Sequence, residues 1–148
     1  MRHLAKFLLL SRRDKKLLFE AFAFLLLSHL SIKAIPFSRI YEFLGARWQV
    51  QAPSDNDHTG EIRLVDLSLV RAANRLPFKS LCLSRSISAF IMLRRRGIPA
   101  VLFAGAKLED SSLVAHAWVR VADRFIDANP ENDTFAAVMS IGAESASR

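Results

Sequence analysis

Between Asp14 and Lys33, Leu, Phe and Ala fall on nearly every helical face, so the pattern predicts one long helix that the rest of the chain must cover. Asp14 favours its start and Pro36 ends it. Phe37 to Leu44 reads as a short amphipathic helix stopped by Gly45, which completes a helical hairpin. Residues 46–60 turn polar around Pro53-Ser54-Asp55-Asn56-Asp57, the composition of a linker or long surface loop. From Glu61 to Arg75, Ile62, Val65, Leu69 and Ala72 or Ala73 recur at three- and four-residue steps, one face of a helix that Pro77 closes. Ser80 is a plausible cap for a further helix from Leu81 through Arg96, stopped by Gly97 and Pro99. The pattern then changes to strand-length apolar runs over residues 100–106, 113–121 and 124–128, with a tight turn at Ala122-Asp123-Arg124 and a last strand over Phe135 to Ile141. Helices first and an antiparallel meander after them predict an α+β architecture. Three units follow: an N-terminal helical subdomain over 1–45, a linker loop over 46–60 and a second domain over 61–148.

Length and composition fit this reading, since 148 residues with 51% apolar and 24% charged side chains can bury a core. Charge changes the picture more. Residues 1–50 hold nine Lys/Arg against three Asp/Glu, giving +6 of the total +7. Such a patch suits an acidic partner or an anionic membrane surface, so peripheral membrane contact stays open. Basic residues do not interleave with aromatics as in RNA-binding segments, and nucleic acid is not an expected partner. After Met1-Arg2-His3 the apolar run stops at Ser11-Arg12-Arg13, a poor secretory signal. The run from Leu17 to Leu27 is broken by Glu20 and is too short to span a bilayer. The expected location is the cytoplasm, where free thiols persist.

Cys82 is the sole cysteine, so it forms no internal disulfide and falls short of the ligand set of a structural metal site. At a helix start, unpaired N–H groups and the positive dipole end favour a thiolate, and Lys79 and Arg85 add positive potential. His116, in Ala115-His116-Ala117-Trp118-Val119, shares a strand face with Trp118, and small alanines on the other face let a second element approach. Asp127 stands across the hairpin, where pairing about the turn brings it near residues 118 and 119. A thiol, an imidazole and an orienting carboxylate in this order are the parts of nucleophilic catalysis. Each also fits a structural role: Cys82 as a buried core thiol, His116 as a satisfied strand histidine, Asp127 as a cap on the Asn129-Pro130 turn. Asp123, at the turn tip, is the alternative carboxylate.

Cys on a helix start, His on a following strand and Asp on the next resemble the transglutaminase-like, papain-related arrangement. More narrowly, Cys82-Leu83-Ser84-Arg85-Ser86, Leu93-Arg94-Arg95-Arg96-Gly97-Ile98-Pro99-Ala100 and Ala115-His116-Ala117-Trp118-Val119 look like the leader peptidase of lasso-peptide biosynthesis. The match is strongest over about residues 62 to 130. The apolar N-terminus with Pro36-Phe37 and Leu44-Gly45 is similar to that family's preface. The resemblance implies a transglutaminase-like cysteine peptidase domain over 61–148, without a leader-recognition domain of its own. It implies Cys82 as nucleophile, His116 as general base and then acid, Asp127 as orienting group, and no cofactor or metal. It further implies a ribosomal lasso precursor as substrate, a separate leader-recognition protein, and an asparagine-synthetase-like macrolactam cyclase as partners. The chain departs from the family in having Ala122-Asp123 where a turn glycine is common and Arg120 where an acid follows the tryptophan. For the oxyanion, the Cys82 N–H is one donor, with Asn74 and Gln51 as side-chain candidates. Two other functions keep the same residues: an acyltransferase that passes the acyl group to an amine, and a non-catalytic adaptor docking through residues 1–45 on a partner or membrane.

Overall fold

The computed structural model describes residues 11–48, 56–77, 82–126 and 134–142. Four helices precede four strands in these segments. Helix α1 (Arg12–Ala34) starts at Ser11, whose hydroxyl accepts the Asp14 N–H at 3.1 Å. The two-residue break at Ile35 and Pro36 leads into α2 (Phe37–Arg47). Gly45 does not stop α2 as the sequence predicts. Leu44 is buried and Trp48 meets Phe90 edge-on at 5.8 Å, so packing carries the helix through a residue that is worth only about 1 kcal/mol less than alanine.

Helix α3 (Thr59–Ala73) begins beside Asp57, whose carboxylate accepts the Thr59 N–H at 2.9 Å. Helix α4 (Cys82–Arg94) is the most buried, with Phe90, Met92 and Leu93 fully inside. Its end is as predicted: Gly97 takes a left-handed φ of 73° while the Ile98 N–H returns to the Leu93 carbonyl at 3.2 Å. The chain then enters the sheet.

Strands β1 (Ala100–Glu109), β2 (Ser112–Val121), β3 (Arg124–Ile126) and β4 (Ala136–Ile141) form one antiparallel sheet in the order β3-β2-β1-β4. The expected meander therefore holds only for the first three strands. β4 crosses back to the open edge of β1, where Leu102 faces Ile141 and Ala106 faces Ala136 with a bulge between. Residues Ala100, Leu102, Val119 and Val121 of one face close the core against α4, on which α1 and α3 pack in turn. The core is continuous from Leu17 to Ile141. Tyr41 of α2 hydrogen-bonds the Ser140 carbonyl at 3.1 Å, so the hairpin and the last strand hold each other.

The demand that α1 be covered is met on one side. Leu17, Leu18, Ala21, Leu25, Ser28 and His29 are buried, whereas Phe19, Leu26, Leu27 and Leu30 face outward. Beneath α1, the Ser88 hydroxyl donates to the Ser84 carbonyl at 2.7 Å and lies 3.2 Å from the Ser28 hydroxyl, so these two buried hydroxyls are paired.

Candidate active site

Cys82 is the first residue of α4 and is half-buried. Four residues on, and therefore on the same helical face, Ser86 donates its hydroxyl to the Ala117 carbonyl of β2 at 2.8 Å, a buried bond. Ala117 adjoins His116. One stitch thus joins the helix a single turn beyond Cys82 to the strand a single residue beyond His116. Cys82 sits about 6 Å along the helix from that stitch, since four residues rise 1.5 Å each.

The described part of the ladder between β2 and β3 reaches Val119↔Ile126, and Ala117 lies two residues further along β2. Helix α4 packs on β1 and β2, and its first turn is tied to β2 at Ala117.

His116 shares a face with Trp118, as the alternation predicts, and that face is the one opposite the core. It pairs across the sheet with Gly105, while Trp118 pairs with Phe103. The imidazole is half-buried within an aromatic group: 4.9 Å from Phe135 and 6.0 Å from Trp118 between ring centres, with Trp118 stacked on Phe103 at 5.6 Å. Lys107 lies 4.8 Å over Phe135. Gly105 makes room for this cluster. A Cβ there would overlap the Ala136 carbonyl oxygen and come within 2.8 Å of Trp118 Cη2. Ser86, Gly105, Phe103 and Phe135 were not foreseen as parts of the site. Two left a signal in the sequence: Ser86 lies four residues from the thiol, and a glycine inside a strand marks a close approach.

Asp127, Lys79 and Gln51 lie outside the described residues. The hairpin that leads to Asp127 has the predicted turn, with Val121 opposite Arg124, Arg120 opposite Phe125 and Val119 opposite Ile126. Asp123 is exposed at the turn, past the last pair, and five strand residues, roughly 17 Å, separate Val121 from His116. Asn74 is exposed at the end of α3, its N–H bonded to the Val70 carbonyl at 3.1 Å. No group of three or more His, Cys, Asp or Glu among the described residues could hold a metal ion.

The chain has no significant match among curated proteins or solved structures. The family model for the transglutaminase-like superfamily matches residues 24–140, from the middle of α1 to β4. That span covers both the helix that begins at Cys82 and the strand that carries His116, and the architecture agrees with it: this chain belongs to the transglutaminase-like superfamily.

Proposed function

We propose that the chain is a cysteine peptidase that removes the leader from a ribosomally made lasso-peptide precursor, with Cys82, His116 and Asp127 as its triad. The observation that carries this reading is the Ser86–Ala117 hydrogen bond, which holds the strand of His116 against the helix that begins with the only thiol. Cys82 attacks the scissile carbonyl while His116 takes the thiol proton. Collapse of the tetrahedral intermediate breaks the C–N bond, and His116 returns the proton to the departing amine. Water, deprotonated by His116, then attacks the thioester; the C–S bond breaks, the leader acid departs and His116 returns the proton to the Cys82 thiolate. The Cys82 N–H, at the helix start, is one donor to the oxyanion. Asp127 accepts the second imidazole N–H, a role supported by the register of the described hairpin, which runs as far as Ile126.

The same reading supplies the partners. A separate recognition protein presents the leader, and an asparagine-synthetase-like cyclase closes the amine freed by cleavage into a macrolactam. The experiment is to incubate the protein, or Cys82→Ala, with precursor and recognition protein and to read product masses. Free leader acid from the unaltered protein alone supports the proposal. A leader–amine adduct identifies acyl transfer instead, and equal cleavage by both forms removes the thiol from the mechanism.

A further inference from the structure

Helix α1 has two opposite faces. Leu17, Leu18, Ala21, Leu25, Ser28 and His29 centre on the side that packs inward. At 100° per residue, Phe19, Ala23, Leu26, Leu27 and Leu30 centre on the reverse side, in a stripe about a third of the circumference wide. Phe19 is 78% exposed, Leu27 57% and Leu30 53%. Such a run of large apolar side chains is not the scattered exposure of an ordinary surface.

The ends of this stripe carry charge of one sign. Arg12 and Lys16 continue it at the start of the helix, and Lys33 borders one edge near its end, all exposed, while Glu20 borders the other edge. The two acids of α1 are turned to other work: Asp14 accepts from the Ser11 hydroxyl at 2.8 Å, and Glu20 is paired with Arg96. Leu27 also walls an apolar cleft of 550 Å³ between α1, α2 and α4, which Ile35, Ile40 and Phe43 line and Arg39 borders. The patch therefore runs from the helix into a concavity without crossing an acidic side chain of α1.

By length and composition α1 could cross a membrane, with a mean hydropathy of 1.6 over 18 residues. Its inward face is committed to α3 and α4, so this fold leaves it one free side rather than a free circumference. A long helix with an apolar face, cations at both ends and a second face fixed to a globular body matches an element that lies in the plane of a bilayer surface. Phe19, Leu26, Leu27 and Leu30 would enter the acyl boundary while Arg12, Lys16 and Lys33 reach back to phosphates. We infer that the outer face of α1, with the adjoining cleft, docks the protein peripherally on an anionic lipid bilayer. The cations favour that occupant over a neutral apolar protein surface, which would leave three charges at its rim unmatched.

The test is co-sedimentation of the full-length protein with phosphatidylglycerol vesicles and with phosphatidylcholine vesicles. Binding to the anionic vesicles should be at least tenfold stronger and should fall between 0.1 and 0.5 M salt, on the order expected for a few surface cations. The doubly substituted Phe19→Ser/Leu30→Ser and Arg12→Glu/Lys16→Glu proteins change exposed positions only. Each should lose roughly tenfold or more of the binding while its thermal unfolding stays that of the parent. The inference is overturned if no vesicle brings the protein down, or if the variants bind as well as the parent. It is equally overturned if the parent forms a dimer that Phe19→Ser/Leu30→Ser dissolves without any vesicle binding, which would assign the face to a second copy.

Discussion

Replacing Gly105 by alanine sets a methyl group against the Ala136 carbonyl and the Trp118 ring, the two neighbours that hold β1, β2 and β4 in place around His116. Overpacking of this kind costs typically about 1–3 kcal/mol, and a thermal melt of Gly105→Ala should show that loss. Trp118→Ala errs in the other direction. The indole is buried and stacked between Phe103 and His116, so its removal should destabilise the fold by about 3–5 kcal/mol. Loss of the proposed activity in that variant would follow from unfolding alone. Ala122 gives a prediction of opposite sign. It holds a left-handed φ of 49° in the β2–β3 turn, a conformation an L-residue enters at about 1–2 kcal/mol, part of which glycine returns as unfolded-state entropy. Ala122→Gly should therefore raise stability by about 0.5–1 kcal/mol.

At the scale of elements, two contacts away from the thiol hold helices in register. Arg96 at the end of α4 donates through Nη1, at 3.2 Å, and Nη2 to the two Glu20 oxygens of α1, with Glu20 mostly buried. Glu20→Gln leaves the guanidinium half-served and should cost about 1–3 kcal/mol in urea unfolding. Asp57 at the start of α3 has its pKa held below 3.8, first by the Thr59 hydroxyl and then by the Thr59 N–H. A carboxylate with a depressed folded pKa adds stability that is complete above its unfolded value and is lost as pH falls through the folded one. The acid limb of the stability profile below about pH 4 should thus become shallower in Asp57→Asn. Local signals made most of this level legible: Pro36 and Gly97 mark element ends because a missing N–H and a left-handed φ are properties of single residues, whereas the cap of α1 is Ser11 rather than Asp14. The return of β4 to β1 was not legible, because strand partners are chosen by an open edge far along the chain. The passage of α2 through Gly45 was hidden for a related reason, since it depends on Trp48 finding Phe90.

Across the whole molecule, membership of the transglutaminase-like superfamily and the fold agree, and the sequence order of thiol, imidazole and carboxylate already pointed there. What the sequence left hidden is how the helix of Cys82 is joined to the strand of His116. Alternation along β2 sets His116 on the face away from the core, which by itself would separate it from a helix packed on the core side. The bond from Ser86 to Ala117 ties the first turn of that helix to the residue beside His116, a long-range contact that exists only in the assembled fold. The outward stripe of α1 was similarly masked, because a helix apolar all round does not declare which side the core will take.

If His116 activates Cys82 as proposed, the rate of iodoacetamide alkylation at Cys82 across neutral pH differs between the parent and His116→Ala, with thermal melts to establish that both are folded. The parent thiol should react at least tenfold faster than that of His116→Ala at pH 7. Equal rates in two folded proteins would contradict it.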